Sequence, residues 1–174
     1  MAARLSEPLS ERLVDAVDHV LAEDGLGALS LREVARRAGV THGAPLRHYP
    51  TFATLLSEVA ARGFRALADS VDAAAAGVPA GAGPTARLAA AARAYVDCAM
   101  KQPGRFALMF RPELLDADHP AFRLEGTRAF ESLVRLVRGA QDAGWRTGIP
   151  ERELAGSLWA SMHGLASLWV HDSY

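Results

Sequence analysis

The stretch from Arg36 to Pro50, RRAGVTHGAPLRHYP, decides the fold. It lies between two segments of helical spacing yet holds Gly39, Gly43 and Pro45 among three arginines and two histidines. Gly39 suits a left-handed turn, which a residue without Cβ adopts at no steric penalty. Val40 can plug the angle between two helices, and Thr41 is a good N-cap. Counted from Thr41, Pro45 is the fourth helical residue, so its missing N–H removes only the first intrahelical bond. The spacing therefore predicts a short, stiff helix over His42–Tyr49, with the small residues Gly43 and Ala44 near its start. Immediately upstream, Ser30-Leu31-Arg32-Glu33 reads as a capping box. It opens a helix that buries Leu31, Val34, Ala35 and Ala38 and ends at Gly39. Before that, apolar residues at 13, 14, 17, 20 and 21 predict a first helix, capped by Ser10 and stopped by Gly25 and Gly27. Helix, tight glycine turn and short helix make a helix-turn-helix pattern.

Downstream, Pro50-Thr51 starts a fourth helix with Phe52, Leu55, Leu56, Val59, Ala60, Phe64 and Leu67 on one side, running to about Ala76. Gly77–Pro84, GVPAGAGP, breaks the chain. A helix over Thr85–Lys101 follows, then short helical pieces between Gly104 and Leu115. A long helix from Pro120 to Gly144 is expected to be capped by Asp118, and a final one to run from Pro150 almost to the end. No segment alternates with the strand period of two. The expected fold is all-α: a three-helix helix-turn-helix domain over residues 1–50, then a helical-bundle domain over residues 51–174.

The 174 residues are half apolar and carry a formal net charge of −1. Distribution matters more than the sum. Between Leu31 and Arg65, arginines at 32, 36, 37, 47, 62 and 65 stand against Glu33 and Glu58, a local balance of +4 that leaves −5 elsewhere. No run reaches the eighteen or more apolar residues of a membrane span. The start, MAARLSEPLSERL, lacks an apolar signal core, and a single cysteine fits a reducing compartment, so a cytoplasmic location is expected. Catalysis is not expected. Cys98 stands alone in a helix as a small hydrophobe. Asp116-x-Asp118-His119 reads as a helix start rather than a metal site, and neither zinc spacing nor a phosphate loop is present. No metal or cofactor is expected.

Leu13–Phe64, LVDAVDHVLAEDGLGALSLREVARRAGVTHGAPLRHYPTFATLLSEVAARGF, resembles the amino-terminal DNA-binding domain of the TetR (tetracycline-repressor-like) transcriptional regulators. The order is helix, glycine stop, serine-capped helix, A-G-V turn, short recognition helix, aromatic-proline and linking helix. Leu158–Trp169, LWASMHGLASLW, is similar to the W-x-x-x-H-G pattern of one subgroup of the family's ligand domains, with Trp159, His163 and Gly164 in place. The resemblance implies a homodimer on a palindromic DNA operator, usually repressing, and released by a small molecule in the carboxy-terminal domain. The chain departs from the pattern at Leu46, where the family commonly has tyrosine, and at Phe52, where it commonly has lysine. It also ends sooner after Trp169 than many relatives do.

On that reading Thr41, His42, Gly43 and Ala44 meet base edges in the major groove, where donor and acceptor patterns differ between base pairs. Arg47, His48, Arg32, Arg36, Ser30 and Leu46 complete the DNA-facing set. Tyr49 is expected to pack internally, and Arg37 to form a solvated pair with Glu33. In the second domain, Phe64, Leu67, Cys98, Met109, Phe110 and Phe130 are candidate pocket residues. Trp159 and Met162 join them, with Tyr95, His163 and Arg93 as polar anchors for a hydrophobic or aromatic effector. Gly156, Ala160 and Gly164 recur every fourth residue and allow close helix approach. With Trp169, and with Leu133 and Val137 of the preceding long helix, they are expected to form a four-helix dimer interface. The competing expectation is a small-molecule-binding helical dimer whose DNA head, given Leu46 and Phe52, has weakened or lost its grip.

Overall fold

A computed structural model of the chain describes residues 8–170, in which seven α-helices and three short 3-10 turns follow one another; no described residue lies in a strand. The expected all-α class is what the structure shows. Residues 1–7 of the opening stretch on which the export reading rests, and the last four residues, lie outside the described range.

Helix α1 (Leu9–Glu23) buries Leu13, Val14, Val17, Val20 and Leu21, the residues whose phase predicted it. It begins one residue before the expected cap: Pro8, at φ −54° and ψ 142°, is the N-cap, and Ser10 lies inside the first turn. The Pro8 carbonyl accepts from the Arg12 N–H at 3.2 Å, so the chain is already turning at Ser10. Gly25, at φ 77°, ends the helix. In α2 (Leu31–Arg37) the Ser30 hydroxyl accepts the Glu33 N–H at 3.2 Å, as a capping box requires. The return arm of the box is not made, because the Glu33 carboxylate is held by Arg36 and Arg37. Gly39 has φ 68°, and the Val40 N–H closes back on the Ala35 carbonyl at 3.0 Å, a left-handed helix stop. Arg12 of α1 donates to the Ala38 carbonyl at 2.5 Å and thereby caps the end of α2.

Helix α3 (Phe52–Ala76) starts at Thr51, whose hydroxyl accepts the Thr54 N–H at 3.0 Å. Helices α4 (Ala86–Lys101), α5 (Pro103–Met109), α6 (Pro120–Asp142) and α7 (Glu151–Val170) complete the order. The cap of α6 is not Asp118. With Pro120 as the first helical residue the cap position falls on His119, whose Nδ1 accepts the Phe122 N–H at 3.3 Å.

The described chain divides into two compact units, and the division differs from the expected break at residue 50. One unit holds the chain up to Gly63 together with Gln102–Arg123; the other holds Phe64–Lys101 and the chain from Leu124 onward. The reason is that α5 belongs with α1. At Gly104 an added Cβ would lie 2.4 Å from the Leu21 carbonyl oxygen, so only glycine allows that approach. Beside it the Arg105 Nε donates to Asp18 at 2.7 Å. Met109 packs on Gly63, where a Cβ would come within 2.5 Å of its sulfur. In the second unit, Leu88 of α4, Leu133, Val134 and Val137 of α6, and Leu154 and Ala155 of α7 form one apolar cluster.

Candidate functional site

The segment from Thr41 to Tyr49 is a turn followed by a 3-10 helix, not the α-helical rod that the spacing suggests. The Ala44 N–H bonds to the Thr41 carbonyl at 3.0 Å, the Arg47 N–H to Ala44 at 3.2 Å and the His48 N–H to Pro45 at 3.0 Å. All three link residues three apart. Pro45 has no N–H to offer the Thr41 carbonyl, so the α-pattern loses its first rung and the tighter spacing takes over. No side-chain cap forms at its start. Pro45 is buried and anchors the turn, while Thr41, His42, Gly43, Leu46, Arg47 and His48 are exposed and Ala44 is half-buried. A Cβ on Gly43 would meet no atom within 4 Å, so neither crowding nor a left-handed backbone requires glycine there. Tyr49 is half-buried, with its hydroxyl 3.5 Å from the Ser10 carbonyl, and burial pushes its pKa up.

Most of the expected positive charge is already engaged. Arg36 donates to both Glu33 oxygens, at 2.8 and 2.5 Å, and the Arg37 Nε donates to Glu33 at 2.9 Å. Hydrogen bonds from these two guanidinium groups hold the Glu33 carboxyl at about 2. Arg37 also binds Glu23 and Asp24, an engagement with α1 that goes beyond the expected single pair. Arg62 donates to Glu11 at 2.6 Å, and the Arg65 Nε to Glu125 at 2.8 Å. Among the described residues, no carboxylate pairs with Arg32 or Arg47. Ser30 and Arg32 are exposed at the start of α2, and Arg36 is exposed one turn on. Arg12, which steadies the turn through Ala38, carries no sequence signal beyond its charge.

The second unit contains a crevice of about 320 Å³ of empty space, part of it open to solvent, whose interior has room for little more than one water. Helix α3 contributes Leu67, Ala68 and Val71, and α4 contributes Ala91 and Tyr95. Helix α6 adds Ala129 and Leu133, and α7 adds Trp159 and Met162. Four expected pocket residues, Leu67, Tyr95, Trp159 and Met162, therefore meet in one place. Phe130 stands behind them, its ring 5.3 Å from that of Trp159. Phe64 is buried and faces Gly126, outside the crevice. Cys98 is half-buried and does not line it. Met109 and Phe110 belong to the other unit, where Met109 packs on Gly63 and the Phe110 ring lies 5.2 Å from Phe106. Periodicity placed them on an apolar face but carried no information about which unit α5 joins.

The expected polar anchors change as well. Arg93 is exposed on the outer side of α4. The Tyr95 hydroxyl lies 3.1 Å from His163 Nδ1, its ring meets that of Trp159 edge to face at 6.4 Å, and burial pushes its pKa up. Burial lowers the His163 pKa, which favours the neutral ring that can accept the Tyr95 proton. The other ring nitrogen is 3.3 Å from the Ser167 hydroxyl. Ala68, Val71, Ala91 and Ala129 carry no sequence signal for the crevice, because small aliphatic residues look the same whether they line a crevice or fill a core.

On α7, Ser157, Ala160, Ser161, Gly164, Leu165, Leu168 and Trp169 are exposed at intervals of three and four, forming one outward stripe. Ala160, Gly164 and Trp169 of the expected interface lie on it, and Gly156 is half-buried at its margin. Leu133 and Val137 do not. They are 5% and 0% exposed within the chain's own core, because that face of α6 is turned toward α4 and α7.

Residues 13–59 match the family of bacterial regulatory proteins named for tetR, and residues 88–174 match the tetracycline-repressor-like carboxy-terminal domain. A solved structure of a protein of unknown function from Rhodococcus sp. RHA1 is 31% identical, with a TM-score of 0.82 over 95% of this chain and 84% of that one. A tetR family regulatory protein from Rhodococcus RHA1 is similar at 20% identity and a TM-score of 0.69, over 92% of this chain and 84% of its own. A TetR family transcriptional regulator from Thermus thermophilus is similar at 16% identity and a TM-score of 0.67, over 92% of this chain and 95% of its own. No curated protein matches the sequence.

Proposed function

Because this chain belongs to the tetR family of bacterial regulatory proteins, a family of DNA-binding transcriptional regulators, we propose that it acts as a dimeric repressor. Each subunit presents the Thr41–His48 turn to one major groove of a palindromic operator. The observation that carries this reading is the exposed turn itself: Gly43 is open on its outer side, and Arg47, exposed and without a carboxylate partner among the described residues, stands beside it. A partner's approach explains the small residue where the fold does not demand one. Base edges meet Thr41, His42 and Gly43, while Arg32 and Arg47 meet phosphate or guanine. The exposed stripe of α7 pairs with its copy across a two-fold axis, which sets two half-sites ~34–36 Å apart or a multiple of that.

The effector is a small hydrophobic or aromatic molecule held in the crevice against Trp159 and Met162. Leu67, Ala68 and Val71 lie on α3, and the first half of the same helix belongs to the unit that carries the reading turn. A ligand that binds one setting of α3 better than another shifts the population of DNA-competent dimers.

The test is selection of operators from random duplex DNA. Enrichment of a palindrome is expected. The second reading, a helical dimer without operator binding, is favoured by the engagement of Arg36, Arg37, Arg62 and Arg65 with carboxylates. Recovery of no enriched sequence at low salt would establish it in place of the first.

A further inference from the structure

We infer that the crevice accepts only neutral molecules with no buried hydrogen-bonding group of their own: flat hydrocarbons or halogenated arenes, and not carboxylates, amines or phosphates. This rests on the reading of the crevice as an effector site and names the class of its ligand.

The inference starts from the lining, which holds no charged side chain and whose polar atoms belong to Tyr95 and Trp159. The Tyr95 hydroxyl is already committed to His163 at 3.1 Å, and the Trp159 ring is in contact with the rings of Tyr95 and Phe130. His163 is in turn within reach of Ser167. The chain of bonds runs from the crevice wall into α7, so the Tyr95 hydroxyl proton is given to His163 rather than to a ligand. No buried side-chain nitrogen or oxygen among the described residues lacks a hydrogen-bond partner, so no orphan group waits for a ligand to satisfy it. A ligand polar atom brought into this space exchanges water for methyl groups and ring edges, or else breaks the Tyr95–His163 bond. A ligand charge meets no counter-charge among the residues that line the crevice. Arg93, the cation nearest in sequence to Tyr95, is exposed on the outer side of its helix. Apolar surface has the opposite preference, since the aliphatic residues of α3, α4 and α6 and the Trp159 ring all gain by contact with it. The narrow interior requires side chains to move aside. Met162, half-buried and unbranched, is the adaptable member of the wall.

Three probes of one shape separate the classes: naphthalene, 1-naphthoate and 1-naphthylmethylammonium, titrated calorimetrically into the full chain at pH 7.5. Naphthalene is expected to bind saturably, and the two ions at least about a hundredfold more weakly. Met162→Ala widens the crevice and should change naphthalene affinity several-fold, with circular dichroism checking that the variant folds; unchanged affinity would place the probe elsewhere. Binding of either ion as tight as naphthalene, or no binding of naphthalene up to its solubility, overturns the inference. Operator release is measured separately. Naphthalene that binds without releasing DNA leaves the ligand class standing and removes the effector reading.

Discussion

At the scale of single residues, the segment from α2 to the Thr41–His48 turn shows how charge counted in a sequence differs from charge offered by a surface. Arg36 and Arg37 converge on Glu33, whose carboxyl is held at about 2, below its ordinary value of 4.5. A carboxylate lowered in this way contributes stability that is present above its unfolded pKa and is lost as pH falls from about 4.5 toward 2. Glu33→Gln is expected to flatten that part of the stability-versus-pH curve, read by urea unfolding at several pH values; an unaltered slope would show that the two arginines do not hold the carboxyl. Arg47 has the opposite character, being exposed and without a carboxylate partner among the described residues. Arg47→Ala should leave the unfolding midpoint unchanged, weaken operator binding and lower the dependence of log affinity on log salt by about 1. Equal slopes for the two proteins would take the residue off the DNA face. The exposed set from Thr41 to His48 was legible from residue types, but the partners of Arg36 and Arg37 were only half so. Glu33 is one turn away, whereas Glu23 and Asp24 lie on another helix and become neighbours only when α1 and α2 pack.

At the scale of elements, local chemistry was legible wherever the competing signals were also local. Ser30 caps α2 and Gly39 ends it because hydroxyl geometry and a left-handed φ are properties of one or two residues. Residues 42–49 read as an α-helix because a proline is tolerable in a first turn; in so short a segment the missing N–H removes too large a share of the bonds. The same arithmetic of positions moved the α6 cap from Asp118 to His119. The role of α5 was not legible at all, since its docking on α1 depends on a glycine allowing backbone approach between distant parts of the chain. Gly104→Ala should therefore push α5 off α1 and destabilise the protein by roughly 1–3 kcal/mol, seen as a lower urea midpoint. A midpoint equal to that of the parent would mean that the approach is not tight.

At the scale of the whole molecule, the all-α class and the order of helices followed from apolar phase, but the assignment of helices to units did not. A period of 3.6 says that a face is buried and is silent on what buries it. Leu133 and Val137 illustrate this: expected to face a second copy of the chain, they fill its own core. The outward stripe of α7 that remains, with Leu165, Leu168 and Trp169 at 41–46% exposure, is the surface whose burial a dimer would provide. Sedimentation equilibrium at micromolar concentration is expected to give twice the 18.5 kDa chain mass, and Trp169→Glu to return the single-chain mass. A parent protein sedimenting as one chain would refute pairing through α7.

The internal neutralisation of the arginines has a consequence for how such a protein would find its target. Docking on arbitrary duplex is driven largely by the release of condensed cations from the phosphates, and a head with few bare guanidinium groups displaces few of them. Encounters with random genomic sequence would then be brief, with short slides between long excursions through bulk water. On the proposed reading, discrimination would rest on the fit of base edges to a compact turn that carries Arg47 as its single guanidinium, and occupancy in the cell would depend on the number of copies of the protein more than on the ionic conditions around them.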